Sequence, residues 1–262
     1  MAWIKFLGTA GARFVVMKQL RASGGIWLNL DDTNILIDPG PGSLIRCLSS
    51  KPRLNPENLD AIVLTHRHLD HANDVNIMIE AMTNGGFKKK GAVFAPSDAL
   101  GKDPVIFSYI LDYVERVEIL KEGGKYRVGN IFLETPVKHV HGVETYGLNI
   151  YGKKLSVSLV SDTKYFEGLE DYYKGDVLIL NVVRLEEKEG IDHLSLKDAE
   201  KIIEKNKPSL SILTHFGMTM LRAKPWEIAD RLSRKLGVKV VAANDGMLIN
   251  LDEYANKNLA SH

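Results

Sequence analysis

Short apolar runs bounded by turn residues alternate along this chain with stretches of helical period. Runs at 3–7, 26–30, 34–38, 61–64, 131–135, 148–151, 155–160, 177–180, 210–213 and 238–241 read as strands. Two pairs of them read as hairpins, one turning at Asp31-Asp32 and one around Gly152. Apolar positions three and four apart predict helices over 73–84, 103–114, 196–206 and about 225–236. The third of these starts at Ser195, with Asp198 three residues on, the signature of a capping box. The order of strands and helices is that of an α/β protein whose sheets are covered by helices. No Pro/Gly/Ser-rich linker interrupts it, so residues 1–262 are expected to form one domain. Segments 10–24, 85–104 and 217–224 carry no readable motif and are expected to be loops; Lys88-Lys89-Lys90 beside Gly85-Gly86 reads as a solvated turn.

Composition removes some function classes. A net charge of +1 gives no bulk electrostatic case for nucleic acid or an acidic membrane. One cysteine, Cys47, excludes an internal disulfide and a cysteine-rich zinc knuckle. No apolar stretch reaches the about 18 residues of a membrane span, and Met1–Lys5 lacks the basic start of a signal peptide. A cytoplasmic protein is the expectation.

The chemistry is concentrated in Thr65-His66-Arg67-His68-Leu69-Asp70-His71, on the loop leaving the apolar run at 61–64. Neutral imidazoles and a carboxylate are ligand types that suit Zn²⁺, with Mn²⁺ or Fe²⁺ as alternatives. Beyond this cluster, His141 follows the 131–135 run, Asp162 ends the 155–160 run and His215 ends the 210–213 run. Strand ends are where layered α/β folds gather site residues. Five histidines and two aspartates there are the inventory for two adjacent metals. His262, at the C-terminus, is set aside.

These residues resemble the metallo-β-lactamase superfamily, whose signature runs His-x-His-x-Asp-His, then a distant His, an Asp and a His. Here the pattern reads His66, His68, Asp70, His71, His141, Asp162 and His215. The resemblance implies a four-layer αββα sandwich of two mixed β-sheets. It places His66, His68 and His141 on one metal, and Asp70, His71 and His215 on a second, with Asp162 bridging. Asp38, in Ile37-Asp38-Pro39-Gly40, matches the family's aspartate that orients a ligand histidine. His139 falls outside the family spacing and is expected to be a bystander.

Within the superfamily, two features point to phosphodiesterases. Leu7-Gly8-Thr9-Ala10-Gly11 is similar to the opening of ribonuclease Z and its relatives, and His193, just before a helix, matches their general acid. The best resemblance is to the cyclic-phosphate phosphodiesterases of phosphonate metabolism, carried by Ser161-Asp162-Thr163-Lys164, residues 176–181, and residues 193–196 through 213–215. Their additional cysteine-bound zinc cannot be built from one cysteine. Ribonuclease Z proper fits less well, because only 21 positions separate His141 from Asp162, too few for a tRNA-gripping arm. The resemblance thus implies a hydrolase that cleaves a phosphodiester (a cyclic phosphate or a small nucleotide-like, anionic substrate) with a dinuclear metal-bound hydroxide. Asp70 and His193 carry the catalytic proton transfers in that reading. Carboxyl-ester, lactone or thioester hydrolysis on the same centre is the alternative, and a non-catalytic scaffold ranks last. Homodimers are common in the resembling branches, so a homodimer is an expectation too.

Overall fold

The computed structural model describes residues 1–255, so His262 lies outside the described residues. Six strands open the chain: β1 (Trp3–Phe6), β2 (Ile26–Leu30), β3 (Thr33–Ile37), β4 (Ala61–Val63), β5 (Ala92–Pro96) and β6 (Arg116–Leu120). They form one sheet, an antiparallel meander through β3 followed by parallel β4, β5 and β6. The second sheet repeats that plan. Strands β7 (Gly124–Val128), β8 (Ile131–Thr135), β9 (Leu148–Tyr151) and β10 (Ser156–Val160) make the meander. The strands β11 (Val177–Arg184), β13 (Leu210–Thr214) and β14 (Val240–Ala242) then run parallel to β10 and one another, and the two-residue β12 (Leu194–Ser195) pairs with β11. Last, β15 (Leu248–Asn250) returns to the first sheet beside β1.

Alternation along each central strand explains the layering. In β3, Ile35 and Ile37 join the core between the sheets while Leu36 faces the outer layer; Ala61, Ile62 and Val63 of β4 divide the same way. In β11, Val177 and Ile179 point to the shared core and Leu178 and Leu180 to the opposite outer layer. Helix Val75–Met82 covers the first sheet through Met78, Ile79 and Met82. Helices Leu196–Asn206 and Pro225–Leu236 cover the second through Ile202, Ile203, Ile228 and Leu232. With both faces buried, such strands read as continuous apolar runs. The result is the expected four layers, helix on sheet on sheet on helix.

Several elements follow the sequence closely. Asp31 and Asp32 both take positive φ, 49° and 60°, as a two-residue hairpin turn between β2 and β3 requires. The Ser195–Asp198 capping box is present in both directions.

Others differ. The helix expected over 103–114 is reduced to one turn, Ser108–Leu111. Asn76 explains it: its side chain donates to the Val105 carbonyl (2.8 Å) and accepts from the Phe107 amide (2.9 Å), capturing backbone groups a helix would need. The expected loop at 10–24 contains helix Ala12–Met17, that at 85–104 contains β5 and the turn Ser97–Leu100, and that at 217–224 contains helix Met218–Arg222.

Candidate metal centre

The site is built at one end of both sheets, where parallel strands run out into loops. From β3 comes Asp38, at φ 52°. From β4 come Thr65 and His66, then His68 as the N-cap of the turn Leu69–Ala72 that carries Asp70 and His71. The β8–β9 connection supplies His141, the end of β10 supplies Asp162, and the end of β13 supplies His215, at φ 58°. Two non-glycine residues in the left-handed region at one site mark backbone strain of the kind functional sites retain.

All seven predicted ligand residues come together. Asp162 Oδ2 is the meeting point: it lies 3.4 Å from His215 Nε2, 3.5 Å from His71 Nε2 and 3.9 Å from His66 Nε2. Asp70 Oδ2 lies 3.7 Å from His215 Nε2 and 3.8 Å from His71 Nε2. His68 Nδ1 and His141 Nε2 stand 3.1 Å apart. Four sets of three donors have ligand atoms within 4.8 Å of one another: the two expected triads, His66/His68/His141 and Asp70/His71/His215, and also Asp38/His66/His71 and His141/Asp162/His193.

Hydrogen bonds fix which nitrogen of each ring faces inward. Asp38 Oδ1 accepts the Thr65 amide (2.7 Å), and its Oδ2 accepts both the Thr65 hydroxyl (2.7 Å) and His71 Nδ1–H (2.9 Å). Because the Thr65 proton goes to Asp38, its oxygen accepts from His66 Nδ1–H at 3.1 Å. His141 donates Nδ1–H to the Asp192 carbonyl at 2.9 Å. The Nε2 atoms of His66, His71 and His141 therefore face the centre, which is how outer hydrogen bonds prepare imidazole ligands.

The donor set fits divalent cations. His66 Nε2 is fully buried and has no hydrogen-bond partner, a costly state for a polar atom with no other use. His68 Nδ1 lies 3.1 Å from His141 Nε2, and His71 Nε2 lies 3.3 Å from His215 Nε2; a cation shared within each pair would suit this close approach of ring nitrogens. Burial, helped by the neighbouring His71, holds His66 well below the ordinary histidine pKa, and burial together with His141 lowers His68. Burial would raise the Asp162 pKa, but His215, His193 and His71 overcome it and keep the carboxylate ionised. Burial would likewise depress His71, yet Asp70, Asp38 and Asp162 raise it well above the usual value.

His193 joins the site from the loop before β12. Its Nδ1 is buried without a hydrogen-bond partner, 3.4 Å from Asp162 Oδ2, and its ring centroid is 5.1 Å from that of His141. About a fifth of the side chain, 19%, remains exposed.

Three site residues lie outside the motif. Asn181, at the end of the β11 apolar run, donates from Nδ2 to Asp162 Oδ1 at 2.9 Å. Ser161 bonds the Thr65 hydroxyl at 2.9 Å. His139, expected to be a bystander, is bonded to the Asp162 backbone. For Asn181 the signal was present: it ends its apolar run as Asp162 ends the preceding one.

This layered pair of sheets, with a His/Asp cluster at its strand ends, is a metallo-β-lactamase fold with a site suited to metal binding. The chain belongs to the β-lactamase superfamily, whose domain matches residues 33–216. It is similar to the uncharacterized protein MJ1374 of Methanocaldococcus jannaschii, 30% identical over 95% of this chain and 94% of that protein. The probable metallo-hydrolase YhfI of Bacillus subtilis is 25% identical over 74% of this chain and 80% of its own length. The YhfI crystal structure superposes with a TM-score of 0.78 at 18% identity, covering 95% of this chain and 98% of YhfI. A diphosphatase of the PhnP family superposes with a TM-score of 0.69 at 21% identity, covering 95% and 98%. No helix among the described residues is long and apolar enough to cross a membrane.

Proposed function

We propose that this superfamily hydrolase cleaves a phosphodiester in a small anionic substrate, using two divalent cations, with zinc the first choice. His66, His68 and His141 would hold one cation, Asp70, His71 and His215 the other, and Asp162 both. When bound, such a pair supplies Lewis acidity for a phosphoryl oxygen and a water of lowered pKa.

The chain's own residues do the rest. Asp38 and Asn181 orient His71 and Asp162, and Asp70 accepts the proton of the attacking water. His193 supplies the single observation that favours phosphate over a carbonyl substrate: it stands on a capped helix start at the rim, beside Asp162 and His141. From there its ring reaches a leaving oxygen. Burial, with His215, His141 and His71, lowers its pKa although Asp162 pulls the other way; a bound phosphate would add the negative charge that favours the protonated ring. General acid transfer of this kind contributes ~10²–10⁴ in rate.

The test is metal content together with turnover of bis-p-nitrophenyl phosphate, for wild type and Asp162→Ala, after loading with Zn²⁺ or Mn²⁺. About two metals per chain and a rate that collapses in the variant support the reading. Two metals without turnover of this or of cyclic phosphates, but with turnover of a carboxyl-ester, lactone or thioester, would overturn it in favour of carbonyl chemistry.

A further inference from the structure

His139 is buried, with 3% of its surface exposed, and it takes no part in either donor triad. Its Nδ1 lies 3.2 Å from the backbone carbonyl oxygen of Asp162, and its Nε2 lies 2.6 Å from the hydroxyl of Tyr173, a residue with no exposed surface. A carbonyl can only accept, so Nδ1 carries the proton and Nε2 must accept from the tyrosine. Both donors in the chain Tyr173, His139, Asp162 therefore point the same way. Gly147 packs against the tyrosine: a Cβ there would lie 2.4 Å from the Tyr173 hydroxyl.

The chain joins two loops that must agree. His139 precedes His141 by two residues, and its partner is the residue whose carboxylate faces both triads. The same loops are zipped by the Val140 amide to Thr163 Oγ1 (3.1 Å) and the Lys164 amide to the Val140 carbonyl (2.8 Å). On the other side, the Asp162 carboxylate is held by Asn181. A neutral imidazole donates at one end and accepts at the other across this gap.

We propose that His139, backed by Tyr173, is a positioning residue that sets the Asp162 carboxylate relative to His141 and so tunes both cation sites at once. This rests on the dinuclear reading above. It has a definite consequence: a defect at His139 weakens both sites together, whereas a defect in one triad weakens one.

The test is calorimetric titration of the metal-free full chain with Zn²⁺, alongside its thermal unfolding, for wild type, His139→Asn, His139→Leu and Tyr173→Phe. Asparagine places an N–H near the Nδ1 position, while leucine supplies volume without a donor. For His139→Leu, both equivalents are expected to weaken by ~10–100-fold, the range typical of groups that orient ligands. His139→Asn is expected to recover most of that loss, although both variants lose the Tyr173 bond and unfold at similarly lowered temperatures when metal-free. Tyr173→Phe, which keeps the imidazole and nearly all the volume, should weaken both sites by a few-fold and serves if the His139 variants fail to fold. Wild-type affinity in His139→Leu, equal losses in the Leu and Asn variants, or a loss confined to one equivalent would overturn the proposal. If wild type binds fewer than two equivalents, the dinuclear reading itself has failed, a result separate from any of these.

Discussion

Asp245 holds Thr9 with a single carboxylate oxygen: Oδ1 accepts the Thr9 amide at 2.9 Å and the Thr9 hydroxyl at 2.7 Å. Its other oxygen accepts the Ala22 amide at 2.7 Å. The loop so pinned lies against the β13 end, with the Phe216 amide donating to the Thr9 carbonyl (2.9 Å) and the Gly11 amide to the Phe216 carbonyl (3.0 Å). Thus the Leu7–Gly11 stretch, singled out by resemblance, acts structurally as a brace for His215. Asp245→Ala should cost about 2–3 kcal/mol, since it strands donors of a charged acceptor. Urea unfolding measures this, and the accompanying drop in turnover should exceed what the unfolded fraction accounts for.

Gly40 makes the Asp70 turn fit. A Cβ there would sit 2.0 Å from the Asp70 carbonyl oxygen, a backbone atom with no freedom to retreat. Gly40→Ala is expected to displace the turn carrying Asp70 and His71, lowering stability by about 1–3 kcal/mol. Metal retained after dialysis should fall below wild type; unchanged metal content would show that the turn adapts.

How much of this was legible depended on burial. Strands β10, β11 and β13 announce themselves because both faces are covered, and the helix Leu196–Asn206 because its cap uses side chains. By contrast, β6 buries fully only Leu120 and β7 only Gly124 and Val128, so neither reads as a covered strand, and β5 is a short run ending in Pro96. The turn at Ser108–Leu111 was misread as a full helix because its apolar spacing says nothing of Asn76, far off in sequence. At the site, the cluster was readable because one contiguous motif, His66, His68, Asp70 and His71, holds four of its residues. His139, Asn181 and Asp245 act through hydrogen bonds to residues distant in sequence, and such residues look in sequence like any polar residue beside a strand.

Glu144 gives a pH signature remote from the ligands themselves. Burial would raise its pKa, but bonds from Ser97, Tyr146 (2.8 Å) and the Asp98 amide (3.3 Å) hold it below the ordinary 4.5. A depressed carboxylate pKa stabilises fully above the unfolded value and loses that contribution as pH falls through the folded one. Glu144→Gln should therefore lower stability by about 1 kcal/mol at pH 7, a modest figure because the side chain is partly exposed. The gap to wild type should close progressively below the ordinary carboxylate range. Urea midpoints across that range check both size and direction.

His193→Ala separates leaving-group chemistry from binding. Loss of a proton donor should slow diesters with poor alkoxide leaving groups by ~10²-fold or more, and bis-p-nitrophenyl phosphate far less. Steady-state kinetics on the two ester types decides; equal losses would remove His193 from the acid role.

The repeated plan of the two sheets, meander then parallel run, divides the chain at the turn between β6 and β7. Asp38, His66, His68, Asp70 and His71 belong to the first part, and His139, His141, Asp162, His193 and His215 to the second. Neither part owns the whole of the His66/His68/His141 set or of the Asp70/His71/His215 set. Separate polypeptides ending and beginning at that turn would each lack part of both sets, and tight Zn²⁺ binding regained only on mixing would report that the two sheets had found one another. The centre is in this sense a lock between two halves, and its occupancy a direct readout of their docking.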